Sequence, residues 1–374
     1  MLAPQRPAAV AGPGQSGAGA GRATPVRMGG TARVAWQAGK ARPPRDPASR
    51  GRTVLPGARA MVMFGAMTRR AQASNHPGRS APRMGQPQDA LLQRLQAEGH
   101  RIPLSFELFP PHGADRRRDL DATVAALAPV ATAGFSVTMG AGGTTRQGTH
   151  ETCTAVAAQS GRPVMAHLTA LGLTRAEALA AAEGLWEAGI TRILALQGDR
   201  PRQGPVPPGF AHASDLVAAL AARHPFDLSV AAYPETHPEA RTPEADIDYL
   251  RQKLEAGARR AYCQFVLDPA AYGRFLDACG RHGIDVPIIP GLMPLEGWAR
   301  LRGFARANGA SVPAWLDRLF APAEKRPELM PYLAAAATVE QARRLVAYGA
   351  PALHVYTMNR WPQALALAHL MGQG

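Results

Sequence analysis

The 374-residue sequence predicts a (β/α)8 barrel of the TIM type that follows a disordered N-terminal extension. From residue 87 onward, eight short apolar runs alternate with segments of helical periodicity, as expected of repeated β-α units. The runs are almost continuously apolar, which is typical of parallel strands buried on both faces. Several helical segments end at a glycine just before the next run, which is a common stop signal of a helix.

The predicted strands divide the barrel domain, residues 87–374, into eight repeats. They lie at 104–109, 135–141, 164–169, 192–199, 228–234, 260–268, 286–294 and 352–358. The helical segment at 175–189 shows apolar residues at i, i+3 and i+4. The helix-stop glycines are Gly134, Gly161, Gly189, Gly257 and Gly283. A doubly wound open sheet is the alternative fold, and it is less favoured because no GxGxxG motif follows the first strand.

Residues 1–86 are predicted to be a disordered extension rich in Gly, Ala, Pro and Arg, because such a segment cannot bury enough apolar surface to offset its ordering entropy. Most of the formal net charge of +14 belongs to residues 1–84, where fourteen Lys or Arg residues accompany one acid, Asp46. The nearly neutral barrel domain therefore predicts no nucleic-acid groove. The favoured interpretation is a dispensable extension, or a true start further along the chain at Met63, Met67 or Met84. A transit peptide and a nucleic-acid-binding tail are the alternatives.

Cysteine usage and hydropathy indicate the compartment. Cys153, Cys263 and Cys279 are widely spaced without a CxxC motif, which argues against a disulfide framework or a zinc site and favours a reducing compartment. No apolar run reaches the ~18 to 20 residues that a membrane span requires. We therefore expect a soluble, cytoplasmic protein with no membrane partner.

Polar residues near the ends of the predicted strands are the candidate site, because catalytic residues of such barrels lie at the carboxyl ends of the strands. Glu107 and Asp199 are the strongest candidates. A carboxylate flanked by Phe106 and Leu108 costs free energy unless it is paired or used, although a structural ion pair would also explain it. Asp199 could also be a turn residue, but its place at the end of the fourth predicted strand favours a functional role. The other strand-end candidates are Thr138, His167, Thr169, Gln197, Tyr233, Gln264, Asp268 and Tyr356. By itself His167 is as readily a structural histidine as a ligand contact, and tyrosines such as Tyr233 and Tyr356 more often serve packing than binding.

The sequence offers no metal-ligand spacing, no Ser–His–Asp arrangement and no P-loop. Two separated carboxylates among hydroxyls and amides can move protons but not electrons. Because no side chain here can carry a hydride, the pattern favours an organic redox cofactor over a metal.

Nine segments in order resemble the bacterial type of methylenetetrahydrofolate reductase, over about 104–371. They are SFELFPP, FSVTMGAGG, AHLT, ALQGDRP, SVAAYPETHPEA, the helix from Asp246 to Lys253, CQFVLD, IIPGLMP and HVYTMNR. The resemblance implies reduction of 5,10-methylenetetrahydrofolate to 5-methyltetrahydrofolate for methionine synthesis. It implies that hydride passes from NADH or NADPH to a bound FAD and then to the folate, in a ping-pong scheme. It also implies a homo-oligomer.

The resemblance also implies roles for individual residues. Glu107 is implied to protonate the folate, and Asp199 to lie beside the flavin and the pterin. Substrate contacts are implied for Asp199, Gln264, Phe304, Tyr356 and Arg360, the last facing the glutamate end of folate. FAD contacts are implied for Thr138, Ala141, His167, Gly198, Asp199, Ala213, Tyr233, His237, Ala240, Asp246 and Lys253. Lys253 has further support because the chain has only three lysines, Lys40, Lys253 and Lys325.

The sequence departs from the resemblance at five positions. Gln197 and Gln252 replace arginines, Met139 and His212 replace tyrosines, and Tyr249 replaces an asparagine. Fewer cations near a diphosphate weaken charge-assisted hydrogen bonding, so we expect weaker FAD binding. The alternative functions are a proline-dehydrogenase-like flavin barrel, a non-catalytic folate- or flavin-binding barrel, and nucleic-acid binding through the extension.

Overall fold

A computed structural model describes residues 102–139, 146–198, 209–237 and 239–373. The predicted extension at 1–86 lies outside these residues. Two of the predicted site residues, Ala141 and Asp199, also lie outside them.

Eight parallel strands close into a barrel in which each strand pairs with its sequence neighbours and the last pairs with the first. They are β1 (Leu104–Leu108), β2 (Gly134–Val137), β3 (Val164–Thr169), β4 (Arg192–Leu196), β5 (Asp227–Ala232), β6 (Arg260–Phe265), β7 (Ile288–Leu292) and β8 (Leu353–Tyr356). The predicted (β/α)8 barrel is confirmed, and the open-sheet alternative is wrong. Most of the predicted runs extend past the end of the observed strand, and in several of them, such as β6 with Val266 and Leu267, the chain stays apolar as it leaves the barrel.

The described residues contain ten α-helices, most of them in the segments between strands. They are α1 (Ala114–Leu127), α2 (Arg146–Ser160), α3 (Arg175–Glu187), α4 (Ala213–Ala221), α5 (Pro243–Glu255), α6 (Pro269–Arg281), α7 (Trp298–Ala307), α8 (Ala314–Lys325), α9 (Met330–Ala347) and α10 (Trp361–Leu370). Among them, no helix is both long and apolar enough to cross a bilayer.

Side-chain caps start several of these helices where the sequence places Thr or Asp. Thr174 and Glu177 form a reciprocal capping box at α3. Thr242 and Asp268 accept backbone N–H groups at the starts of α5 and α6, each followed by a proline that suits the first helical position. The caps therefore satisfy backbone donors at the carboxyl-end rim of the barrel.

Two apolar clusters stabilise the fold. The larger lies between the outer face of the sheet and the surrounding helices, and it includes Leu104, Phe106 and Leu108 of β1. The smaller lies beyond β6 and β7 and joins Phe265 to Trp298 and neighbouring residues of α7, α8 and α9. The two extra helices between β7 and β8 thus pack through a core of their own.

Alternate residues of the strands face the barrel interior, and many of them are polar. At the starts of β4, β5 and β6, Asp227 lies between two arginines, with Arg192 Nε at 3.6 Å and Arg260 Nη2 at 3.0 Å from its oxygens. These ion pairs line the amino-terminal end of the interior. The opposite end carries Glu107.

The backbone conformation of Gly134, at the start of β2, leads to a prediction about stability. Its φ is +100°, and an added Cβ would lie 2.2 Å from the carbonyl oxygen of Pro163. We expect Gly134→Ala to lower the free energy of unfolding by about 3 kcal/mol or more, because strain and backbone overlap act together. Gly161→Ala is the matched control: its φ is +62° with nothing within 4 Å of the added Cβ. It should cost about 1–2 kcal/mol. Equal losses in urea unfolding would contradict the role of the Pro163 contact.

Candidate active site

Glu107 lies inside the barrel at the seam between β1 and β8. Its backbone pairs with Tyr356, and two residues earlier on both strands Ser105 pairs with His354. The Glu107 residue is 7% exposed. Its Oε2 lies 3.6 Å from Nε2 of His354 and 3.7 Å from Nε2 of His167. A buried carboxylate thus faces two imidazoles that come from β8 and β3.

His354 has partners on most sides. Its Nδ1 lies 2.7 Å from the Ser105 hydroxyl, and its Nε2 lies 3.4 Å from the Ser136 hydroxyl. The rings of Tyr262 and Tyr356 meet it edge-on, with centroids 5.0 and 5.5 Å away. These contacts hold the ring in place beneath the carboxylate of Glu107.

His167 has a different environment from His354. Burial lowers its pKa to about 4, against the opposing effect of the Glu107 charge, and His354 lowers it further. His167 is therefore neutral near pH 7. Its Nε2 is buried without a hydrogen-bond partner among the described residues, since the 3.7 Å separation from Glu107 is too long for one. A buried ring nitrogen without a partner is suited to contact a ligand.

The loop after β8 is fixed to the end of β1. The Thr357 hydroxyl donates to the carbonyl of Glu107 at 2.6 Å. The Asn359 side chain accepts from the backbone N–H of Phe109 and donates to its carbonyl. This arrangement places Arg360 at the rim, where the exposed guanidinium lies 3.0 Å from Oε2 of Glu296.

Three predicted substrate residues lie on the β6–β8 side of the barrel. Gln264 accepts from the backbone N–H of Phe265 through Oε1. The ring of Phe304, on α7, stacks on Phe265 at a centroid distance of 5.4 Å. Tyr356 donates to the carbonyl of Cys263 and covers Gly291, where an added Cβ would lie 2.6 Å from the ring. The structure therefore places Gln264, Phe304 and Tyr356 in one sector.

The predicted cofactor residues occupy the opposite sector, from β2 to α5. Thr138 follows β2, and its backbone bonds to Leu108 and to the Thr149 hydroxyl. Gly198 follows β4 with a φ of +79°, and an added Cβ would lie 2.9 Å from Thr169. Only glycine fits this close approach of backbone to side chain without a shift.

The remaining cofactor candidates gather around the loop after β5. Asp246 accepts from the backbone N–H of His237 at 2.8 Å, and the His237 ring meets Tyr233 edge-on at 4.6 Å. Ala240 N–H donates to the carbonyl of His237. Lys253 Nζ donates to the Ala231 carbonyl at 2.6 Å, and burial lowers the pKa of Lys253 to about 8, with Asp246 opposing that effect.

Residues 91–372 match the family model for methylenetetrahydrofolate reductase. The chain belongs to this family. The 5,10-methylenetetrahydrofolate reductases of Pectobacterium carotovorum subsp. carotovorum and Escherichia coli (strain K12) are 37% and 36% identical to it over 284 residues. Each alignment covers 76% of this chain and 95% of the relative. A probable NADH-type methylenetetrahydrofolate reductase of Oryza sativa subsp. japonica is 31% identical, over 75% of this chain and 50% of that relative.

A solved structure supports the fold independently. An uncharacterised protein from Clostridium thermocellum, which binds two copies of 5-methyl-5,6,7,8-tetrahydrofolic acid, superposes with a TM-score of 0.50. The alignment covers 75% of this chain and 97% of that chain, at 14% identity. At this identity the likeness concerns the barrel alone.

Membership of the methylenetetrahydrofolate reductase family confirms the resemblance and makes the chain an oxidoreductase of folate one-carbon chemistry. The proline-dehydrogenase-like alternative is therefore wrong. Sequence reasoning did not select His354, Ser105 or Ser136. The signal was the strand period of two, because Ser105 precedes Glu107, and His354 precedes Tyr356, by two positions on the same face.

The five departures from the resemblance fall in different surroundings. Gln197 donates from Nε2 to the Ala211 carbonyl at 2.8 Å, while its Oε1 is buried without a partner among the described residues. Gln252 is exposed on α5. Met139 contacts Thr169 through sulfur. Tyr249 accepts from the backbone N–H of Ala213, and its ring meets His212 edge-on at 6.0 Å.

The low pKa of His167 makes a prediction about acid stability. The folded state resists protonation of His167 between its ordinary pKa of 6.5 and about 4, so stability present above pH 6.5 is lost as pH falls through that window. From pH 7 to pH 5 this histidine should cost the wild type about 2 kcal/mol of unfolding free energy. Between pH 7 and pH 5, the unfolding free energy of His167→Gln, measured in urea, should fall by about 2 kcal/mol less than that of the wild type. His369→Gln, at an exposed position on α10, is the control. Wild-type acid sensitivity in His167→Gln would refute the assignment.

Proposed function

We propose that this protein reduces 5,10-methylenetetrahydrofolate to 5-methyltetrahydrofolate with NADH or NADPH, through a bound FAD and in a ping-pong scheme. Family membership supports the reaction class. The observation that carries the proposal is the buried Glu107 carboxylate, held between two imidazoles at the carboxyl end of the barrel. The product supplies methyl groups for methionine synthesis.

The described residues fit a flavin dinucleotide. When bound, FAD would take a hydride from the nicotinamide and deliver it to the folate, which no side chain can do. Lys253 offers a buried ammonium that donates to the Ala231 carbonyl and has donors left for a ligand. Gly198 has no side chain, so a ligand in the cofactor sector could approach its backbone closely. We assign Thr138, His167, Gly198, Ala213, Tyr233, His237, Ala240, Asp246 and Lys253 to the cofactor, together with Ala141 and Asp199.

We propose that FAD binds less tightly here than an arginine-bearing site would allow. Hydrogen bonds to charged groups contribute about 1.5–3 kcal/mol, against about 0.5–1.5 for neutral ones. Gln197 already donates to Ala211, and Gln252 is exposed. Neither side chain supplies a cation, so the charge of Lys253 matters more for holding a diphosphate.

Glu107 is proposed to donate a proton from its carboxyl group to a nitrogen of the five-membered ring of the folate. Burial excludes water from the carboxyl group, so the proton goes to the substrate and not to solvent. His354, whose Nδ1 is engaged by Ser105, is proposed to limit the positions of the carboxyl group by packing against it, with Nε2 at 3.6 Å from Glu107 Oε2. His167 is neutral near pH 7 and presents a dipole to the same group.

The β6–β8 sector is proposed to bind the folate. Phe304 offers an aromatic face that can pack on the substrate, and Gln264 offers an amide for orienting it. Arg360 is exposed at the rim with Nη1 on Glu296, which leaves its other donors for the glutamate carboxylates of folate. Asp199 is proposed to contact both flavin and substrate, and Tyr356 to line the pocket.

Glu107→Gln should separate the two half-reactions. Reduction of bound flavin by NADH should proceed at a rate near that of the wild type, because this step needs no proton from Glu107. Reoxidation of the flavin by methylenetetrahydrofolate should slow by about 10²- to 10⁴-fold, as expected for a lost general acid. Anaerobic stopped-flow absorbance of the flavin measures both steps.

The control for this experiment is Glu235→Gln, because Glu235 is another half-buried carboxylate of the loop after β5 and accepts from the backbone N–H of Ser311. It should leave both rates within about threefold of the wild type. If Glu107→Gln slows both half-reactions equally while remaining folded, Glu107 has a structural role and the proposed mechanism is wrong.

A further inference from the structure

Lys253 is a buried cation with few compensating contacts. Its residue is 5% exposed, and Nζ donates to the Ala231 carbonyl at 2.6 Å. An ammonium has three donors, and this is the single acceptor that the described residues place on it. The other close contact is the ring of Tyr249, whose centroid lies 4.9 Å from Nζ. A partly compensated buried charge of this kind is suited to an anionic ligand.

The side chain of Tyr249 is held in place by contacts to its hydroxyl group and to its ring. It lies one helical turn before Lys253 on α5, and its hydroxyl accepts from the backbone N–H of Ala213, the first residue of α4, at 3.2 Å. Its ring edge meets His212. Burial raises the pKa of Tyr249, so the phenol stays neutral. The contact with α4 therefore fixes the aromatic face that Lys253 touches.

We propose that Tyr249 is a positioning residue for Lys253. The Tyr249 ring keeps the buried ammonium charged and oriented toward the phosphates of FAD. The inference rests on the proposed function, because it takes FAD as the ligand. The negative face of an aromatic ring attracts an ammonium within about 6 Å, most strongly where water is excluded. Burial acts in the opposite direction on the charged form. The ring therefore offsets part of the desolvation that Lys253 undergoes.

The pKa of Lys253 is close enough to neutral pH for small changes in its surroundings to alter its charge. Burial holds its pKa at about 8, with Asp246 as the opposing charge. Loss of the ring should lower that pKa by about half to one pH unit. The amine would then be largely uncharged at pH 8, where the wild-type group is about half charged.

Few other groups near Lys253 can change its charge state. Asp246 lies on the same helix and bonds to the backbone of His237. From α4 and its cap, His212 and Asp215 face the cluster, and the Asp215 carboxylate accepts from the His212 backbone. β5 presents the Ala231 carbonyl. On α6, burial raises the pKa of Cys279 to about 11, so this thiol stays neutral below pH 9.

The scarcity of lysine makes a direct test possible. The chain has three lysines, Lys40, Lys253 and Lys325. Full-length protein labelled with ¹³C at lysine Cε should give three signals, and loss of one in Lys253→Arg assigns Lys253. Titration from pH 6 to 11 should show the Lys253 signal with a midpoint near 8. The titration is made before and after addition of FAD.

Two kinds of Tyr249 variant distinguish the ring from the hydroxyl group. Tyr249→Phe keeps the ring and should leave the Lys253 midpoint near that of the wild type. Tyr249→Leu removes the ring and should lower the midpoint by about half to one pH unit. Tyr249→Met is a second ring-free variant if the leucine protein does not fold. A leucine or methionine variant that titrates like wild type overturns the proposal, as does a phenylalanine variant that shifts as far as leucine.

Flavin binding tests the second half of the proposal separately. FAD should raise the Lys253 midpoint in the wild type, because a nearby anion favours the charged amine. At pH 8 the Kd for FAD, measured by flavin fluorescence, should be about threefold higher for Tyr249→Leu than for Tyr249→Phe. FAD that binds without moving the Lys253 midpoint refutes this role while leaving the proposed function intact. No FAD binding at all refutes the proposed function.

Discussion

Closure of the barrel between β1 and β8 is the constraint on which the site depends. The register pairs Ser105 with His354 and Glu107 with Tyr356, across about 250 positions of chain. The same seam carries the hydroxyl of Thr357 to the carbonyl of Glu107. A slip of one residue would turn Glu107 toward the apolar outer core, since side chains alternate between the two faces. The register that closes the barrel therefore also places the carboxylate.

The polar interior follows from that closure. The outer faces of the strands are packed by helices, so the interior is the remaining place for groups that need contact with a ligand. Two sectors result at the carboxyl end, with Phe304 and Tyr356 on one side and His237 and Lys253 on the other. The buried groups differ in charge: His167 is neutral near pH 7, while Lys253 is partly to largely charged. Glu107 lies at the seam from which both sectors extend.

The fold could be read from the sequence because continuous apolar runs and helix-stop glycines are local signals, and each strand lies within or beside its predicted run. Glu107 was recognisable as a charge inside an apolar run. His354 was not, because its importance arises from pairing with Ser105 across the seam, which no local pattern records. Tyr249 and Lys253 are neighbours one turn apart on α5, but the hydrogen bond from Ala213 that fixes the Tyr249 ring depends on how α5 meets α4. The sequence therefore shows Tyr249 only as a departure from the resemblance. Asp199 and Ala141 stay predictions, since they lie outside the described residues.

The proposed flavin-dependent reduction of folate by this barrel is tested most directly by a spectrum combined with a product assay. The purified protein, supplied with FAD, should show bound-flavin absorbance near 450 nm. With NADH or NADPH and 5,10-methylenetetrahydrofolate it should form 5-methyltetrahydrofolate, detected by mass spectrometry, in a one-to-one ratio with nicotinamide oxidised. A folded protein that takes up no flavin and forms no 5-methyltetrahydrofolate with either nicotinamide would contradict the account.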